Sequence, residues 1–121
     1  MVEAQSSKRY DLGERTLKFA RMTRNYVKGL PRDVANIEYA QQLIRSSGSV
    51  GANYIEAQEA LSKKDFSMRI KISWKEAKES QYWLELTECA GRQDGQREIL
   101  IQEAVELTRI FGSIVEKAKQ L

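Results

Sequence analysis

Apolar side chains recur along this chain at steps of three and four, the spacing that gathers them on one face of an α-helix. Over residues 12–30, Thr16, Phe19, Ala20, Thr23, Tyr26, Val27 and Leu30 make such a face, about a third of a helix circumference. Gly29-Leu30-Pro31 ends it, because proline disfavours helical backbone in the residue before it. The next segment, 33–61, carries two rows, Leu43, Ser47, Val50, Tyr54, Ala57 and Leu61, and beside them Ile44, Gly48, Gly51 and Ile55. Together they cover about half the circumference, so this helix is expected to touch neighbours on two sides. An interior glycine costs about 0.5–1 kcal/mol relative to alanine. Gly48 and Gly51 are therefore read as close-packing positions, where backbone approach to another helix offsets that loss.

Ser62-Lys63-Lys64-Asp65 has the form of a capping box, a serine oxygen accepting from a first-turn amide and a carboxylate reaching back. A third helix is expected from 63 to about 90, with Phe66, Ile70, Ser73, Ala77, Ser80, Leu84 and Thr87 on its inner row and Ile72, Glu76, Glu79, Trp83 and Leu86 alongside. Gly91 then stands where a helix C-terminal glycine would, opening the loop Gly91–Gly95. The fourth helix, about 96–120, uses Leu100, Ala104, Leu107, Phe111, Ile114, Ala118 and Leu121, with Ile110 widening the stripe. Four helices of similar length joined by short turns predict an all-α fold, an antiparallel up-down-up-down four-helix bundle, with residues 1–121 as one domain.

Composition narrows the function. The chain of 121 residues is 41% hydrophobic and 31% charged, with one proline and one cysteine, which suits an ordered globular protein. Cys89 has no partner for an internal disulfide, and no apolar run approaches the roughly 20 residues that span a bilayer, so a cytoplasmic protein without membrane attachment is expected. There is no histidine, which removes the commonest general base and transition-metal ligand. Cys89 has no imidazole to activate it and lies near a helix C-terminus, away from the positive dipole end that lowers a thiol pKa. Dinucleotide-binding, phosphate-loop and zinc spacings are absent. Glu76 and Glu79, with Glu56 and Glu59 on the second helix, could be imagined around two metal ions, but bundle sites of that kind draw on a Glu-x-x-His pair that this chain cannot supply. No catalytic residue, metal or cofactor is assigned. Arg45, Asn53, Glu56, Lys75, Glu76 and Glu79 are instead expected to form a hydrogen-bonded ionic network between helices or subunits, fixing register.

The positive functional signal is charge. Residues 1–32 carry a net +5, whereas the remainder sums to −2. Lys18, Arg21, Arg24, Lys28 and Arg32 fall within about 120° on a helical projection, opposite Phe19, Tyr26 and Leu30, a stripe nearly 20 Å long. Phosphates are drawn to such a stripe by Coulomb attraction and counterion release, without sequence readout. Solvated surface and an acidic protein partner are the competing readings. Tyr82-Trp83 could stack on bases, although Trp83 belongs to an inward row; Tyr10 and Trp74 are open.

The segments YDLGERTLKFA (10–20), LP (30–31), QLIRSSGSVGANYIEA (42–57) and DFSMRIKISWKEAKESQYWLEL (65–86) together resemble the bacterial four-helix bundle proteins encoded within 23S rRNA intervening sequences. The most specific part is the pairing of RS-x-x-S-x-x-AN-x-x-EA with KE-x-x-E-x-x-YWL, which carries Arg45, Ser46, Asn53, Glu56, Lys75, Glu76, Glu79, Tyr82 and Trp83. That family is similar in fold to the accessory variability determinant proteins of diversity-generating retroelements, which bind nucleic acid and a reverse transcriptase. The resemblance implies a left-handed bundle assembling as a ring-like homopentamer, non-enzymatic, with a basic surface suited to RNA or DNA and room for a protein partner such as a reverse transcriptase. The chain departs from the family's usual pattern at Gly48, where a small residue such as alanine is common, and at Gln58, often glycine.

Overall fold

In the computed structural model, which describes residues 2–120 and the side chains of 12–120, the chain forms α1 (Val2–Lys28), α2 (Val34–Gln58), α3 (Lys63–Leu86) and α4 (Asp94–Lys119), with one 3₁₀ turn at Gly91–Gln93. Each helix packs on the next and α4 returns to α1, so α1 and α3 stand on one diagonal of a four-helix bundle and α2 and α4 on the other. No strand occurs among the described residues.

The core follows a seven-residue rhythm. Thr16, Thr23 and Leu30, beside Phe19 and Tyr26, come from α1; Leu43, Val50 and Ala57 from α2; Ile70, Ala77 and Leu84 from α3; Leu100 and Leu107, beside Ala104 and Phe111, from α4. All are buried, as the spacing requires for helices whose inner faces meet along their length. Val115 joins them, a position the apolar rows passed over, while Ile114 is half-buried.

Helix ends show where local reading stops. Ser62 caps α3 through its oxygen, which accepts from the Asp65 amide at 3.0 Å, the serine half of the expected box. Asp33 caps α2 by accepting from the Asn36 amide at 2.9 Å. α1 ends at Lys28 and α2 at Gln58, so Arg32 lies on the connection rather than on the helix, and Leu61 is wholly exposed beyond α2 instead of closing an inner row. α3 ends at Leu86, four residues short of the expected limit, and Gly91 does not act as a left-handed cap: Thr87 turns extended, and no described residue has positive φ. The reason lies in side chains far away in sequence. Arg97 of α4 donates to the Leu84 and Glu85 carbonyls, each at 3.0 Å, satisfying the open end of α3. Buried Asn36 donates to the Glu88 and Pro31 carbonyls and accepts from the Glu88 amide, fastening the two connections at this end of the bundle. Gln93, also buried, donates to the Tyr26 carbonyl at 3.0 Å. Tyr10 and Leu121 fall outside the side chains described.

Candidate nucleic-acid interface

On α1, burial and charge separate cleanly. Thr16, Phe19, Thr23 and Tyr26 are at most 2% exposed, and the projection places Lys18, Arg21, Arg24 and Lys28 on the opposite side, where all four are exposed. Among the described residues none of these four takes part in an ion pair; Arg24 only donates to the neighbouring Asn25 side chain, at 3.3 Å. Arg32 is exposed too, on the connection that follows. Exposed Leu17 interrupts the row with the one large apolar side chain there, half of its surface open.

The flank of this row opens into the space between α1 and α4. A groove of about 620 Å³ lies there, lined by Glu14, Lys18, Phe19 and Met22 of α1 and Ile99, Gln102 and Glu106 of α4. Arg15 and Glu103 span it with paired hydrogen bonds of 2.7 and 3.0 Å. Further along α1, the Tyr26 hydroxyl meets Thr87 Oγ1, at the end of α3, at 2.7 Å; burial pushes the phenol up to about 12, so it stays protonated across the working range.

The expected ionic network divides in two. Arg45 of α2 pairs with Glu76 at 3.3 Å and Glu79 at 3.2 Å across to α3. Asn53 joins a different cluster, donating to Ser49 and accepting from Arg69, a residue the sequence reading did not include. Glu56 and Lys75 are exposed and make no hydrogen bond or ion pair among the described residues. The glycines diverge as well. A Cβ at Gly51 would lie 2.9 Å from Thr16 Oγ1, so α1 and α2 are in close contact there, whereas among the described residues nothing comes within 4 Å of the same point on Gly48. Ile44 and Ile55, on the row of Gly48, are 42% and 58% exposed.

Trp83 is half-buried between Tyr39, 6.1 Å away centroid to centroid, and Tyr82 at 5.0 Å; Tyr82 itself is 58% exposed. Trp74 is half-buried under the Lys78 ammonium, 4.5 Å from its ring centre. Cys89 Sγ lies 3.4 Å from Asp94 Oδ1 and is half-buried. Among the described residues no group of three or more histidines, cysteines or carboxylates could hold a metal ion, and no helix is long and apolar enough to cross a membrane.

With this arrangement established, comparison with known proteins places the chain. The model of the 23S rRNA-intervening sequence protein family matches residues 8–113. The chain belongs to that family. It is similar to a crystal structure from Bacteroides thetaiotaomicron, a protein of unknown function from the S23 ribosomal protein family, with 32% sequence identity, a TM-score of 0.72, and coverage of 86% of this chain and 97% of that one. No curated protein matches the sequence. The family and the neighbour fix the all-helical architecture without assigning an activity.

Proposed function

We propose that this family member is a non-enzymatic bundle that binds RNA or DNA through the outer face of α1. The observation that carries the reading is the row Lys18, Arg21, Arg24 and Lys28, exposed, without carboxylate partners among the described residues, and opposite the buried face of its own helix. Like charges three and four residues apart each cost a helix a few tenths of a kcal/mol. A polyanion relieves that repulsion and releases its own counterions on contact. The absence of histidine supports a binding rather than a catalytic role.

The test is fluorescence anisotropy of a 20-base-pair RNA duplex titrated with the protein at several salt concentrations. Affinity is expected to fall steeply with salt, by a log–log slope of about 0.9 for each phosphate neutralised. Arg21→Glu with Arg24→Glu should weaken binding at least about tenfold and reduce that slope by about 2. Unchanged binding by this variant would remove α1 as the interface.

A second surface favours self-association. Val34, Ile37, Ile44 and Ile55 leave large apolar areas exposed on α2, and Gly48 sits among them with open space above it. A further copy of the chain seated there would bury the row, in keeping with a homo-oligomer, the pentamer implied by resemblance. Light scattering after size exclusion tests it; a monomer at tens of micromolar would rule it out.

A further inference from the structure

We propose that α3 carries a second nucleic-acid face, one that takes unpaired strand, on the side of the bundle away from α1. The inference rests on the reading of α1 as a phosphate-binding helix and extends it to a diagonal helix of different chemistry. Lys64, Lys71, Lys75 and Lys78 are spaced seven, four and three residues apart and fall within about 60° on the helical projection, opposite Ser73, Ala77 and Leu84 of the core. All four are exposed, and none is in an ion pair among the described residues. The carboxylates that could neutralise them are engaged elsewhere: Glu76 and Glu79 turn to Arg45 on α2, and Glu85 accepts from Gln81. Lys71 and Lys78 have no acidic residue three or four positions away on either side. The row is therefore as uncompensated as that on α1, and summed charge conceals it because the chain beyond residue 32 nets −2.

What separates the two faces is aromatic surface. Phe19 and Tyr26, the aromatic residues of α1 with described side chains, are both fully buried, so the described part of that helix, 12–28, offers phosphate contacts without a stacking ring. On α3, Tyr82 follows Lys78 by one turn, 58% exposed, with its ring held edge-on by Trp83 at 5.0 Å. A base can stack on a tyrosine fixed in this way only if it is free of its own duplex, whereas lysine ammonium groups donate to the phosphates of any strand. The α3 row, about 27 Å from Lys64 to Tyr82 at the rise of a helix, thus suits several nucleotides of single strand. Since α1 and α3 face one another across the diagonal, a duplex on one and a loop or tail on the other can be held together.

The experiment uses three probes with the full-length protein: a 20-nucleotide oligoadenylate, a 20-base-pair RNA duplex, and the two together carrying a donor and an acceptor dye. Tyr82→Ala should weaken the single strand about 5- to 100-fold and leave the duplex within twofold. Lys71→Gln with Lys75→Gln should reduce the single-strand salt slope by about 1.4, and either α3 variant should abolish energy transfer between the two probes while duplex binding persists. Thermal melting confirms that these surface variants stay folded. Single-strand binding and energy transfer unchanged in both α3 variants would overturn the α3 face and leave the α1 reading intact. Loss of both probes only on Arg21→Glu with Arg24→Glu would do the same. Failure of the wild-type protein to bind any probe would overturn both.

Discussion

The α2–α3 seam and the α1–α4 seam join helices of similar length through the same seven-residue rhythm, yet one is closed and the other is open. Between α2 and α3 the facing side chains are small. Ser73 reaches the Val50 carbonyl at 2.8 Å, the Ser46 and Ser80 hydroxyls are 2.9 Å apart, and fully buried Ala77 lies between the two serines of its helix. Between α1 and α4 the side chains are long, and they leave a groove of about 620 Å³ crossed by a single described ion pair, Arg15 with Glu103. Small polar residues allow the backbones to come near enough for hydroxyls to bond across, and a closed seam leaves no room for a ligand. The open seam keeps one flank of α1 accessible along with its cationic outer face. The helix least committed to the core is thus the one read as the duplex-binding face.

Enlarging the closed seam is the most damaging way to test the contrast. Ala77→Leu places three more carbon atoms where the helices already touch, and overpacking of this kind costs about 1–3 kcal/mol, occasionally more. A fall in melting temperature of about 5–15 °C follows for a domain of this size. Ile99→Ala, on the wall of the open groove and 57% exposed, should shift it by no more than about 2 °C. Equal losses at the two sites would mean that the α1–α4 groove is closed in solution.

Two glycines of one helix sharpen the comparison further. Gly48→Ala gains helix propensity and meets nothing among the described residues, so it should raise stability by about 0.5–1 kcal/mol. Gly51→Ala has the same gain, but its methyl group would sit 2.9 Å from Oγ1 and 3.2 Å from Cβ of Thr16. Thr16 is 2% exposed and its hydroxyl donates to the Gly13 carbonyl, so it cannot yield cheaply, and a net loss of about 1–2 kcal/mol is expected. Urea unfolding measures both. Gains of equal size would remove close α1–α2 contact as the reason for Gly51. A copy of the chain packed over Gly48 would turn the first gain into a loss that deepens with protein concentration.

Phe19, Leu43, Val50, Ile70, Ala77, Leu84, Leu107 and Phe111 are core because a helical period places them there, and the period is local information. The end of α3 was not legible: Asn36 and Arg97 set it from other helices, and no nearby residue reports their arrival. The ionic network was half legible. Arg45, Glu76 and Glu79 meet, but Lys75 turns to solvent and Arg69 takes its place beside Asn53, a choice that depends on how α2 and α3 are rotated. The spacing of α2 predicts a second contact row, and the single chain leaves Ile44, Gly48 and Ile55 of that row uncovered. The cations of α1 were visible as a stripe, while those of α3 share the sequence with so many carboxylates that only their geometry separates them.

The smallest effect belongs to the bridge across the open seam. Arg15 and Glu103 are 35% and 24% exposed, and their paired hydrogen bonds have the fork geometry that favours arginine with a carboxylate. Water and salt reach the pair from the groove, so its contribution stays under about 1 kcal/mol. Glu103→Gln keeps the shape and one acceptor while removing the charge. The loss should be measurable near 20 mM salt and vanish by 1 M, where the screening length falls to about 3 Å. The Ala77→Leu loss, being steric, should persist at both. A salt-independent loss of 2 kcal/mol or more at Glu103 would show that the bridge is sealed from solvent, and α1 would then be held by α4 as firmly as by α2.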